Sequence, residues 1–200
     1  ILAKPHIQKI FVTDHIFSRF ALREESDGLV AVFSPKTHSL KNSKKKKKHL
    51  ILIIDGVEKP GNIGAMLRTA EACSVDMVIL VSSSGDIFHP HIIRNSLGAV
   101  FHIPIVVCSQ EDCLQFLQEN KIAINLSALS PNAVNYTNGL WQQSCALVMG
   151  SEAQGASNFW FQNSDTVVKL PMLGSVDSLN VSVACGVLLY EASRQRLDRS

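Results

Sequence analysis

The sequence predicts an α/β fold, a mostly parallel sheet flanked by helices on both faces. Three observations lead there. Apolar runs of strand length recur without polar alternation, as in Leu50-Ile51-Leu52-Ile53-Ile54 and Met77-Val78-Ile79-Leu80-Val81, the pattern of strands covered on both sides. Segments of helical periodicity separate them, as in βαβ units. Glycine-marked turns follow several runs, at the strand ends where open α/β sheets bind ligands.

The first 33 residues are strand-like at Ile10-Phe11-Val12, helical over 16–22 and strand-like again at Leu29-Val30-Ala31-Val32. That is too little to close a core, and it reads as the C-terminal part of a small α/β domain. The chain opens Ile1-Leu2-Ala3-Lys4-Pro5 without a methionine, so a preceding segment is expected. Residues 34–49 carry Lys41 and the run Lys44 to Lys48 with no periodicity, and read as a linker. Two roles stand for its lysines. They are a solvated charge block, or Lys44, Lys45 and Lys46 hold RNA phosphates and add a salt-dependent term to affinity.

From residue 50 to 200 the alternation is regular. After the first apolar run comes a turn from Asp55 to Gly61 and a helix opening at Asn62, whose core face is Ile63, Met66, Leu67 and Ala70. Arg68 lies about 140° round from Ile63 at about 100° per residue, away from the packing. Strands are expected at residues 77–81, 103–107, 122–124, 146–149 and 166–170, with helical pieces over 90–98 and 113–119. The last helix follows Ser178 as N-cap and is apolar nearly all round, at Val181, Val183, Ala184, Val187, Leu188 and Leu189, so burial is expected. Asn180 would then stand in the first turn of a buried helix. A carboxamide there needs a hydrogen-bond partner, and a ligand is one candidate.

Composition narrows the function classes. The formal charge of +2 neither requires nor excludes a nucleic-acid partner. Five cysteines with no CxxC pair suggest neither a disulfide framework nor a zinc site, and fit a reducing cytoplasm or an organelle matrix. No apolar run reaches the roughly 20 residues that span a bilayer. His89 and His91 flank Pro90 with no third ligand nearby in sequence, so they read as loop residues and no metal is expected.

Three turns carry the candidate chemistry. Gly56 to Gly64 lacks the spacing of a dinucleotide fingerprint. The turn from Gly150 to Ser157 has P-loop glycine spacing, but Ala156 stands where that loop needs lysine and Glu152 would repel a triphosphate. The third is Leu170 to Gly186. Taken alone, Asn62 reads as a helix cap and Glu152 as an exposed loop acid. Together, Asn62 and Arg68 in Pro60-Gly61-Asn62-Ile63-Gly64-Ala65-Met66-Leu67-Arg68, then Val148-Met149-Gly150-Ser151-Glu152 with Gly155, then Ser178-Leu179-Asn180-Val181-Ser182-Val183-Ala184, resemble the three ordered motifs of the TrmH (SpoU) branch of the SPOUT RNA methyltransferases.

The resemblance covers roughly residues 50–196. It implies a SPOUT fold with a C-terminal trefoil knot, S-adenosylmethionine bound in the knot, and a homodimer with its active sites near the interface, for which the last helix is a candidate. It implies methyl transfer to a ribose 2′-hydroxyl of RNA, with Asn62, Arg68, Glu152, Ser178 and Asn180 catalytic. Gly150, Leu170 and Leu179 would hold the cofactor, and residues 1–33 would end an RNA-binding domain. Ile93-Arg94-Asn95-Ser96-Leu97-Gly98-Ala99 also resembles a family segment, so Arg94 is either an RNA phosphate contact or a surface ion-pair partner. The third motif is closest to ribosomal-RNA members acting on guanosine. Transfer RNA as substrate is one alternative, and a non-catalytic RNA-binding scaffold is the other.

Overall fold

The computed structural model describes residues 8–21, 28–35, 38–42, 46–82, 85–152 and 155–197. It contains two compact units, Ile1–Pro35 and Lys36–Ser200. In the first, the described residues form one short helix, α1 (Asp14–Phe17). The segments 10–12 and 29–32, expected as strands, join no sheet. Phe11 is 94% and Val32 96% exposed. A strand needs a ladder partner and a covered face, and the described residues supply neither.

The second unit alternates as expected: β1 (Leu50–Asp55), α2 (Pro60–Ala72), β2 (Met77–Val81), α3 (Pro90–Asn95), β3 (Ile105–Val107), α4 (Gln110–Glu119), β4 (Ala123–Ser127), β5 (Val134–Asn135), β6 (Cys145–Met149), α5 (Asn158–Asn163), β7 (Thr166–Lys169) and α6 (Val181–Leu197). The strands form one sheet in the order β3-β2-β1-β6-β4-β7-β5, and every pairing is parallel. β1 is central, with Leu52 opposite both Val78 and Leu147. Its side chains divide between two cores. Leu50, Leu52 and Ile54 pack with α2 and α6 through Met66, Leu67, Leu188 and Leu189, while Ile51 and Ile53 pack with α4 and α5 through Leu117 and Trp160. An unbroken apolar strand is what two covered faces require.

Local differences from expectation have local causes. β3 starts at Ile105, not Ile103, because Pro104 has no N–H to donate, although its carbonyl accepts from Val78 N at 3.0 Å. α2 starts two residues before Asn62, with Pro60 at its first position, where a missing N–H costs nothing. α5 and the two-residue β5 are too short for periodicity to reveal.

The largest correction concerns α6. Asn180, not Ser178, caps it: the Asn180 carbonyl accepts from Ala184 N and its Oδ1 from Ser182 N, both at 2.9 Å. The helix is also not buried all round. Cys185, Leu188, Leu189 and Ala192 face the core, but Val183, Val187 and Tyr190 form an exposed stripe at i, i+4 and i+7. α6 passes α2 at Gly186, where a Cβ would make only ordinary van der Waals contact with Thr69 Cγ2, at 3.8 Å. α2 in turn presses on α3 at Gly64, where a Cβ would come within 2.6 Å of Asn95 Cβ.

Candidate active site

The carboxyl ends of β4, β6 and β7 open into a cleft of about 600 Å³, within the roughly 300–1,000 Å³ usual for small-molecule sites. Its walls are Ser127 to Leu129 after β4, the loop after β6 from Met149 to Ala156, and the chain from Val168 through Met172 and from Asp177 into α6. Most of the lining is apolar or main chain, with Glu152, Asp177 and Lys169 as its charged members.

The loop after β6 folds back on itself. Ser151 and Gly155 exchange main-chain hydrogen bonds of 3.0 and 2.9 Å, and Gly155 has φ +69°, a conformation glycine adopts freely. A Cβ on Gly150 would lie 2.3 Å from Ala156 N and from the Gly155 carbonyl carbon, so no side chain fits there. Gly150 and Gly155 thus contribute only main chain to the cleft, and an adenine ring would be held there against backbone. Leu170 and Leu179 belong to the same lining. The three positions expected to hold the cofactor therefore converge, and the donor set fits an adenosyl group.

Side chains from three distant segments meet at the mouth. Asn62, in the first turn of α2, donates through Nδ2 to Glu152 Oε1. Asn180 donates through Nδ2 to Asn62 Oδ1 at 3.3 Å, and its own Oδ1 accepts from Ser182 N at 2.9 Å and Ser182 Oγ at 2.7 Å. The direction of this chain is forced. A carboxylate only accepts, so it turns the Asn62 amide nitrogen toward itself, which leaves Asn62 Oδ1 to accept from Asn180. The capping bond then fixes Asn180 from the other side. Lys59 Nζ lies 3.9 Å from Glu152 Oε1 and adds positive charge at the rim. Asn62 is thus not a helix cap, and Glu152 is not an idle loop acid.

Ser178 lines the cleft beside Asn180 but is not its cap. Arg68 is exposed on α2 and does not line the cleft. It is next in sequence to Thr69, whose methyl group lies near Gly186 of α6. Arg94 is exposed in the last turn of α3. Lys46 is ion-paired to Asp76, so its charge is already partly neutralised. Lys44 and Lys45 lie outside the described residues. His89 accepts from His91 N through Nδ1 at 3.2 Å, which makes it the cap of α3.

No cysteine lines the cleft. Cys185, one turn into α6, is fully buried, and desolvation pushes its thiol well above the ordinary range, so it stays protonated and is no nucleophile. Sequence reasoning missed a polar group beneath the β6 loop, namely Asp55, Gln110 and Ser157. The available signal was Asp55 itself, a carboxylate closing an otherwise apolar strand.

A family model described as the SpoU rRNA Methylase family matches residues 49–190. A Staphylococcus aureus (strain COL) protein named for the TrmH family of tRNA/rRNA methyltransferases is 34% identical over 99% of this chain and 83% of its own length. The 23S rRNA (guanosine-2′-O-)-methyltransferase RlmB of Xanthomonas axonopodis pv. citri is 40% identical over 74% of this chain and 59% of its own. Among solved structures, the AdoMet-bound rRNA methyltransferase from Sinorhizobium meliloti superimposes with a TM-score of 0.85 at 27% identity, covering 91% of this chain and 70% of that one.

Proposed function

The chain belongs to the SpoU rRNA methylase family, and from that premise we propose that it methylates the ribose 2′-hydroxyl of a guanosine in ribosomal RNA, with S-adenosylmethionine as methyl donor. The observation that carries this reading is the hydrogen-bonded chain from Glu152 through Asn62 to Asn180, which joins three motifs across one cleft. A scaffold that only bound RNA would have no use for it. Ribosomal RNA and guanosine are favoured by the similarity to the Xanthomonas enzyme. Transfer RNA is the second reading, supported by the Staphylococcus protein's name.

The donor, when bound against Gly150, Leu170 and Leu179, supplies a methyl group already activated by its sulfonium. The protein's task is then to align the ribose oxygen in line with it and to favour the developing alkoxide. Asn180 and Ser178 shape the place where the ribose sits, and Asn62 and Glu152 hold Asn180 still. Arg68 is a poor base, because a guanidinium holds its proton in proteins. Its role is electrostatic, on the target phosphate and the alkoxide.

The working molecule is a homodimer. The exposed stripe of Val183, Val187 and Tyr190 supports this, as does the place of Arg68 outside its own chain's cleft. Each cleft is completed by an arginine across the interface. Residues 1–33 form part of an RNA-binding domain, residues 34–49 a linker, and the segment from Leu170 to Asn180 threads a trefoil knot, a reading supported by the likeness to SpoU methyltransferase structures. Among the described residues no helix is long and apolar enough to cross a membrane, and an rRNA substrate supports a location where ribosomes are made, the cytoplasm or an organelle matrix.

Calorimetry with S-adenosylhomocysteine and transfer of labelled methyl groups to a panel of transcripts test this. Micromolar binding and labelling of 23S-type fragments are expected. Labelling of tRNA alone would reject the rRNA assignment, and no binding at millimolar product would reject the enzyme.

A further inference from the structure

Asp55 ends β1 with its side chain buried, 4% exposed, where every other residue of the strand is apolar. A carboxylate out of water needs donors on both oxygens, and it has them. Oδ1 accepts from Gln110 Nε2 at 2.9 Å and Oδ2 from Ser157 N at 3.3 Å, while Gln110 Nε2 also reaches Ser157 Oγ at 2.9 Å. None of the three lines the donor cleft. They line a second cavity, which shares Ser151, Glu152, Gly155 and Ala156 with the first.

The loop from Gly150 to Ser157 has two stems, and both are referred to the end of β1. One stem is β6, whose Met149 pairs with Ile54. The other is Ser157, bonded to Asp55, the next residue along. Between them the Ser151–Gly155 bridge and the close Gly150–Ala156 approach leave little slack. Glu152 then projects to Asn62, on the helix that starts five residues after Asp55.

We propose that Asp55, acting through Gln110 and Ser157, is a positioning residue for methyl transfer: it sets the height of the Glu152 loop over the strand ends, and with it the register of the Glu152–Asn62–Asn180 chain. This rests on the functional reading above. A carboxylate suits the task because it accepts from several donors and offers none. The isosteric amide would turn an NH2 toward either Gln110 Nε2 or Ser157 N, both donors.

The test uses the full chain with D55N, Q110A and the double variant. D55N is expected to lower kcat by about tenfold through the Glu152–Asn62–Asn180 chain and to raise the KM for S-adenosylmethionine and the Kd for S-adenosylhomocysteine by about tenfold through the Gly150 end of the same loop, with the KM for RNA within about twofold of the parent. Q110A moves the same constants by about threefold, and the double variant is no worse than D55N, because the two residues act on one loop. Hydrogen exchange at the Ser151, Gly155 and Ser157 amides of the ligand-free protein accelerates in both single variants. Unchanged donor constants overturn the proposal, as does a loss that falls equally on RNA and donor. If D55N does not fold, Q110A decides alone, since Gln110 is only partly buried. The exchange readout needs no ligand, so unchanged exchange rejects this inference even where donor binding, and with it the functional reading, has failed.

Discussion

The two edges of the sheet are fastened in opposite ways. At the amino edge, side chains grip main chain. Arg196, from the last turn of α6, donates to the carbonyls of Trp141 at 2.9 Å, Gln143 at 2.8 Å, and Lys48 and His49 at 3.1 Å each. Asp76 accepts from Leu50 N at 2.9 Å, and Ser144 Oγ accepts from His49 N at 3.1 Å. At the mouth of the cleft, on the carboxyl side, side chains grip side chains, from Asn62 to Glu152 and from Asn180 to Asn62, at exposed positions, while beneath it Asp55 holds main chain at Ser157 N. A carbonyl cannot leave without its strand, whereas an amide can rotate to meet a ligand. Rigidity is concentrated at the amino edge and in the pinned loop after β6, adaptability at the mouth of the cleft.

That contrast predicts a clean separation of effects. The largest belongs to Arg68, outside both networks: Arg68→Ala should lower kcat by about 10²–10³-fold, as for lost transition-state electrostatics, with S-adenosylhomocysteine affinity and Tm unchanged. Methyl-transfer assays and calorimetry would show it, and an effect under a few-fold would remove Arg68 from the chemistry. Next, Arg196→Ala should cost about 2–4 kcal/mol, because charged donors to partly buried carbonyls are lost together. Urea unfolding measures this, and activity per folded molecule should stay at the parent level. Loss of activity in the folded fraction would mean the edges are coupled.

Asn180→Ala sits on both sides of the comparison. It should cost about 1 kcal/mol as a lost helix cap and at least about tenfold in kcat/KM as a broken chain. The cysteines sharpen the picture further. Burial pushes the Cys145 thiol up to about 11 beside Arg196, and Cys113 also lies above its ordinary value, whereas a hydrogen bond from Cys113 holds the half-buried Cys108 below its own. Iodoacetamide should label Cys108 first, and Cys145 should stay unreactive in Arg196→Ala as long as the variant is folded, because the guanidinium that draws its thiol down is gone.

The smallest effect is at Glu191, whose carboxyl Arg194 and Gln195 hold below the usual range. A depressed carboxylate stabilises at neutral pH, and that contribution disappears as pH falls through its folded pKa. Glu191→Gln should therefore cost about 0.5–1 kcal/mol at pH 7, the upper end for a helix ion pair, since the carboxyl is buried and only the arginine is exposed, and nothing at pH 2.

Much of this was legible in the residues. β1, β2 and β6 could be placed because doubly covered strands are apolar throughout, and Arg68 could be set outside the core because helical periodicity fixes faces. Asn62, Glu152 and Asn180 were recognisable as a set only through motif resemblance, since no local pattern says that residues 90 and 118 apart in sequence touch. Two misjudgements share one cause. The α6 stripe looked buried, and the segments at 10–12 and 29–32 looked like strands, because an apolar side chain announces that it wants a cover but not which one. Asp55, Gln110 and Ser157 escaped notice because their bonds run between three elements and leave no spacing to read.

The pairing of β1 with β6 bears on how the molecule is made. These neighbours are separated by 95 positions along the chain, as His49 and Ser144 show. On the ribosome, the middle of the sheet therefore has an open flank until most of the polypeptide has emerged, and the last helix, which brings Asn180, arrives later still. Such late closure slows folding and exposes sticky strand edges meanwhile. A product terminated before β6 would be a candidate for chaperone capture or aggregation rather than a half-active enzyme.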